Sequence, residues 1–194
     1  MVVRAPSCSP ANCLHQAQPQ DFVWLDAQPD PQVLPGLFYL RNGTRLDLSD
    51  GEGRILVGGL GGCFGPSDYG RPSKQLQSYA KRHYTRDEID ALIASGPVDV
   101  LLVHDAPAGV RFERHRRGAG FVSEAAGLDD LLRSTHPRVC FFGHHDSRFD
   151  ATVDDVPCVG LNKVRMPGNL VAVELDERGR GWSILGEWPP RRPL

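Results

Sequence analysis

The hydrophobic positions of this chain fall into short blocks, not long amphipathic stretches. LFYL (37–40), RILVGGLGG (54–62), VDVLLV (98–103), VCFF (139–142), VPCVGL (156–161), NLVAVEL (169–175) and GWSILGEW (181–188) have strand length and are rich in β-branched, aliphatic or aromatic residues. TRLDL (44–48) alternates apolar and polar positions, as a half-buried strand does. Asn42-Gly43 in front of it is a turn signal that predicts a hairpin with 37–40. Two segments have the helical period. Thr85-Arg86-Asp87-Glu88 is a capping-box pattern, followed by Ile89, Leu92 and Ile93 and closed by Gly96-Pro97. Leu128, Leu131 and Leu132 mark a second helix that ends near His136-Pro137.

Residues 66–84 are polar and irregular, with a helical piece expected at their end. Residues 1–20, rich in Pro, Gln, Ala, Ser and Cys, have neither period and are expected to be disordered or unrelated to the rest of the chain. One domain is therefore expected over 21–194. Its order is strands, then strand–helix–strand–helix–strand, then strands, without an internal repeat. That order predicts an α/β fold built of stacked layers.

Composition narrows the function classes. A chain of 194 residues supports one sizeable core. With 24% charged residues and a formal net charge of −2, nothing points to a nucleic-acid or membrane partner. No apolar stretch reaches the length of a membrane span, and the N-terminus lacks the apolar core of a secretory signal. Cys8, Cys13, Cys63, Cys140 and Cys158 are odd in number, scattered and free of CxxC spacing. This argues against a disulfide scaffold or zinc ribbon and leads to the expectation of a cytoplasmic protein. Cys140 and Cys158 lie in apolar runs and read as core residues.

Two of the apolar runs end in the same chemistry. VCFF leads into Gly143, His144, His145 and Asp146, and VDVLLV leads into His104 and Asp105. A polar residue after a buried strand is often only the point where the chain surfaces. Two imidazoles and a carboxylate behind a glycine, repeated as His-Asp at a second strand end, favour a metal site instead. Successive strands joined by one helix are normally parallel, so His104 and His144 are expected on one sheet edge, where open α/β sheets gather ligands.

VLLVHDAPAG followed by CFFGHHD resembles the C-terminal half of the calcineurin-like metallophosphoesterases, with support from the GLNKV element at 160–164. The resemblance implies an α/β/β/α sandwich with divalent metal ions (Mn, Fe, Mg or Zn) at the strand ends, two in the intact family. It implies metal-dependent hydrolysis of a phosphoester. His104 matches the lone histidine after a strand, His144 the first histidine of G-H-x-H, and Asp146 the last position of that motif, where the family has histidine. These three are the implied metal ligands. His145 falls on the variable position and is expected to face substrate. Arg114, Arg116 and Arg117, in the loop after His104, are expected to contact phosphate, because guanidinium forks match its oxygens.

The resemblance covers about residues 21–194. The family motifs D-x-H, G-D-x-x-D and G-N-H-D/E, which precede the strand–helix–strand unit, do not occur there. In relatives a stretch like DFVWLDAQ directly follows G-N-H-E; here Ala17, Gln18, Pro19 and Gln20 stand before Asp21. The expectation is an N-terminally incomplete domain that holds one ion or none and hydrolyses weakly or not at all. Exposed sheet surface would then favour self-association. The alternative is a non-catalytic fold of the same type serving as a binding or regulatory module. The catalytic residues and the class of phosphoester stay open, since such folds take many.

GGLGG (58–62) lacks the G-K-[ST] ending and G-x-G-x-x-G spacing of phosphate loops. It is expected to let the chain pass close to the site. Trp182 and Trp188 are expected to pack.

Overall fold

Six strands form the central sheet. A computed structural model of the chain describes residues 2–4, 24–35, 37–49, 54–113, 120–163, 166–175 and 181–188. The first strands are β1 (Val2–Arg4), β2 (Gln32–Leu34), β3 (Leu37–Tyr39), β4 (Thr44–Ser49) and β5 (Arg54–Leu60). Helix α1 (Arg86–Ala94) leads to β6 (Val100–Val103) and to the short β7 (Arg111–Phe112) and β8 (Phe121–Val122). Helix α2 (Leu128–Thr135) precedes β9 (Val139–Phe142), β10 (Phe149–Val153), β11 (Val156–Gly160), β12 (Leu170–Leu175) and β13 (Trp182–Trp188). The central order is β10-β11-β9-β6-β5-β4. Strands β11, β9, β6 and β5 are mutually parallel, and β10 and β4 run antiparallel at the two edges.

The period-2 alternation of the central strands sorts the core into two faces. Leu101, Val103, Cys140 and Phe142 point toward the helices, where Ile89 and Leu92 of α1 and Leu128, Leu131 and Leu132 of α2 cover them. Val100, Leu102, Val139 and Phe141 point the other way, toward Val171, Val173, Leu175 and Trp182 of the β12–β13 hairpin. Trp182 meets Phe141 edge to face, 6.4 Å between centroids. Cys140 and Cys158 are buried thiols on adjacent strands, as their apolar surroundings imply. The result is a mixed α/β layered fold.

Both helices follow their sequence signals. Thr85 caps α1 through a capping box in which the Glu88 carboxylate accepts the Thr85 backbone N–H at 2.9 Å. Helix α2 stops at His136, which takes a left-handed φ of 46°.

The hairpin expected at Asn42-Gly43 does not form. The two residues do make a tight turn, with Gly43 at φ 70°, but it is a corner between sheets. Strand β3 pairs with β1 and β2 in a separate three-stranded sheet, and β4 pairs with β5. The tertiary partners explain this. Gly43 N–H donates to Gly59 O, and the Asn42 side chain accepts Gly61 N–H at 2.7 Å. These bonds send the chain across to β5 instead of back along β3. Val2–Arg4, within the segment expected to be disordered, forms strand β1 against β3; its two valines suit an extended backbone. Residues 5–20 lie outside the described residues. The segment after His104, expected to be a loop, contains the small β7–β8 ladder, and β10 was not expected from sequence. Among the described residues, no helix is long and apolar enough to cross a membrane.

Candidate metal centre

Strands β5, β6 and β9 lie side by side and run parallel, so their C-terminal ends share one edge of the sheet. The ladder continues past the strands: His104 N–H donates to Leu60 O and Gly143 N–H to His104 O, both at 3.1 Å. The next side chains are therefore delivered to one place. They are Cys63 after β5, His104 after β6 and His144 after β9. One ligand atom from each lies within 4.8 Å of the other two. His144 Nδ1 is 3.2 Å from His104 Nε2 and 3.4 Å from Cys63 Sγ.

The local backbone is shaped to hold this cluster. His144 and Asp146 both have positive φ, 64° and 54°, which is uncommon for residues other than glycine and costs of order 1–2 kcal/mol each. Such conformations persist where surrounding contacts impose them, and they concentrate at functional sites. Cys63 is fixed by its own backbone: its N–H donates to Arg82 O at 2.9 Å and its carbonyl accepts Tyr84 N–H at 3.3 Å. That close pass along residues 82–84 depends on Gly62 at φ 90°, where a Cβ would lie 2.6 Å from Arg82 O.

A second pair stands directly behind the first. His145 Nε2 lies 3.1 Å from Asp105 Oδ1, and both residues are buried. Asp105 also accepts the Phe64 backbone N–H at 2.9 Å, which ties the Cys63 loop to the same carboxylate. The His145 ring packs against Phe112 and Phe121, with centroids 4.3 and 5.2 Å away.

Electrostatics keep the cluster ready for a cation. Burial, and next the proximity of His144, push the His104 imidazole down to about 4, so it is neutral at physiological pH with a lone pair to offer. Burial alone would raise the Asp105 carboxyl. The His145 contact and the Phe64 N–H outweigh it and hold Asp105 below its ordinary value. Two imidazoles and a thiol, a few ångströms apart and backed by a buried carboxylate, fit a divalent transition-metal ion.

Of the residues singled out in the sequence, His104 and His144 come together as expected. Asp146 is half-buried beside them, but its carboxylate does not join the group. His145 is 6% exposed and turned toward Asp105 and the phenylalanines. Arg114, Arg116 and Arg117 lie outside the described residues. Sequence reading missed Cys63. Its one signal is that GGLGGCF is a third strand of the same sheet running into a close turn and then a metal-binding residue type.

No protein-family model matches this chain, and no curated protein matches it. Several solved structures are similar; for one of them, a crystal structure, the TM-score is 0.44 with 15% sequence identity. That similarity covers 61% of this chain, and the chain spans less than half, 44%, of that structure's own length.

Proposed function

We propose that this chain is a metal-dependent phosphoester hydrolase of the calcineurin-like type, with a centre reduced to one ion. The observation that supports the reading is the convergence of Cys63, His104 and His144 from the carboxyl ends of three adjacent parallel strands. Such a sheet edge is where α/β enzymes place their chemistry. Three protein donors leave coordination positions open, the pattern of catalytic and not structural metal sites.

When bound, such an ion supplies Lewis acidity toward a phosphoryl oxygen. The chain's own residues supply the rest. His104 offers an unprotonated ring. His145 and Asp105 fix the loops that carry His104 and His144. Arg114, Arg116 and Arg117 follow His104 closely enough in sequence to meet an anionic substrate.

A second reading, a metal-binding module without catalysis, is favoured by one fact: among the described residues this is the single cluster of three or more such side chains. A two-metal hydrolase clamps both attacking and leaving oxygens and needs a second set. Metal content and hydrolysis of a generic aryl phosphodiester, measured on the same zinc- or manganese-loaded preparation, separate the readings. Metal-dependent turnover abolished by His144→Ala supports the hydrolase. A tightly held ion without turnover on any phosphoester tested supports the module and overturns the hydrolase.

A further inference from the structure

We propose that Cys63 is a thiolate ligand and that it fixes which metal this centre accepts: zinc-class ions, in a Cys–His–His set with open coordination, in preference to Mg²⁺ or Mn²⁺. The proposal deepens the metal reading above and rests on it.

Three observations carry it. The first is donor spacing. An ion with metal–sulfur distances of about 2.3 Å and metal–nitrogen distances of about 2.0–2.1 Å in tetrahedral geometry sets its donors roughly 3.3–3.6 Å apart. The distance from His144 Nδ1 to Cys63 Sγ is 3.4 Å, and to His104 Nε2 it is 3.2 Å. Two edges of that tetrahedron, both from His144 Nδ1, are already close to length, and the third donor pair lies within 4.8 Å. The second is donor chemistry. The group contains sulfur and two imidazoles and no carboxylate. Sulfur and imidazole suit zinc, cobalt and their neighbours, whereas Mg²⁺ and Mn²⁺ are served by carboxylates, carbonyls and water. The third is rigidity. The backbone bonds of Cys63 to residues 82 and 84, and the Phe64 N–H to Asp105, fix the Cys63 backbone beside the loops that carry both histidines. A thiol held beside two imidazoles loses its proton on binding the ion, and the proton passes to solvent or buffer.

Cobalt(II) is the probe, because its bond to a thiolate produces an intense near-ultraviolet charge-transfer band that nitrogen and oxygen ligands do not. The full chain, freed of metal with a chelator and titrated with Co²⁺, should bind one equivalent and show the band. Cys63→Ser, a near-isosteric change, should retain the far-ultraviolet circular dichroism of the parent and lose the band. Cys8, Cys13, Cys140 and Cys158 remain in that variant, so its loss reports Cys63 alone. Zinc, by competition against cobalt, should bind Cys63→Ser more weakly by more than the roughly 10–100-fold that loss of an outer-shell partner costs. A large excess of Mg²⁺ should not displace cobalt.

The proposal is overturned if cobalt binds without the band, or if Cys63→Ser binds zinc as tightly as the parent; metal binding through the histidines would then survive alone. It is also overturned, together with the metal reading, if the parent chain binds no cobalt. A band that disappears in Cys63→Ser in a protein inactive on every phosphoester supports the proposal and removes only the hydrolase reading.

Discussion

His145 Nε2 lies 3.1 Å from Asp105 Oδ1, and each residue directly follows one of the paired histidines, His144 and His104, whose facing ring nitrogens are 3.2 Å apart. Two consecutive residues of one loop therefore grip two consecutive residues of another. The half-buried pair offers donors to a cation, and the fully buried pair sets the spacing of the loops. Asp105→Ala should leave both the His145 ring and the Phe64 N–H without their acceptor. The expected cost is about 1–3 kcal/mol, read from urea unfolding. Zinc affinity should fall roughly 10–100-fold, as for other outer-shell losses. Lost stability with unchanged zinc affinity would mean that this clamp does not set the site.

The two left-handed positions of the loop after β9, His144 and Asp146, are predicted to separate in their effects. His144 places its ring in the donor group and Asp146 does not. Zinc at about 100 times its dissociation constant should stabilise the parent chain by about 2.7 kcal/mol, and a chelator should reverse the gain. His144→Ala should abolish that gain and Asp146→Asn should keep it. A zinc effect lost in Asp146→Asn would return Asp146 to the ligand set.

The parts of this site that could be read from sequence are those in which burial and chemistry touch along the chain. VLLV and VCFF are buried on both faces, so the first polar residue after each, His104 or Gly143-His144, had to emerge at the sheet edge. Cys63 was less visible. It is 41 residues from His104 and 81 from His144, and only the parallel register of β5, β6 and β9 unites them. His145 was expected to face substrate because the phenylalanines that bury it, Phe112 and Phe121, come from a distant ladder. The turn at Asn42-Gly43 was legible as a turn but not as a corner, because its direction is set by bonds to Gly59 and Gly61. Strand β10 was hidden because FDATV comes directly after the site loop and is half exposed, which leaves a weak hydrophobic signal.

Asp87 gives the fold a defined acid sensitivity. Its carboxylate accepts the Ser73 N–H at 3.0 Å and the Ser73 hydroxyl at 2.8 Å, joining the first turn of α1 to the irregular segment 66–84. Burial acts to raise its pKa, but the hydrogen bonds from Thr85 and Ser73 outweigh it and leave the group below its ordinary value. A carboxyl whose folded value is depressed contributes stability that is fully present above its unfolded value, about 3.9, and is lost as pH falls toward the folded one. Asp87 is exposed, so solvent screening keeps the cost of Asp87→Asn near neutrality small, about 0.5–1 kcal/mol. The gap from the parent chain should close on acidification below about pH 4. Urea unfolding of both chains along a pH series checks this, and a gap constant with pH would refute it.

Gly62 is where fold and site are most tightly coupled. Its φ of 90° is strained for any other residue, and a Cβ there would lie 2.6 Å from the Arg82 carbonyl oxygen. That carbonyl accepts the Cys63 N–H, so the chain cannot relieve the clash without moving Cys63. Gly62→Ala should cost at least about 1–2 kcal/mol from the left-handed backbone alone. It should also shift Sγ away from His144, although alanine adds no ligand and removes none. The cobalt charge-transfer band should weaken in Gly62→Ala while Gly70→Ala, at a glycine with nothing within 4 Å of the added carbon, should match the parent. If Gly62→Ala folds and keeps the full band, the thiol reaches its partners by side-chain adjustment and the rigid pass along residues 82–84 is not what positions it.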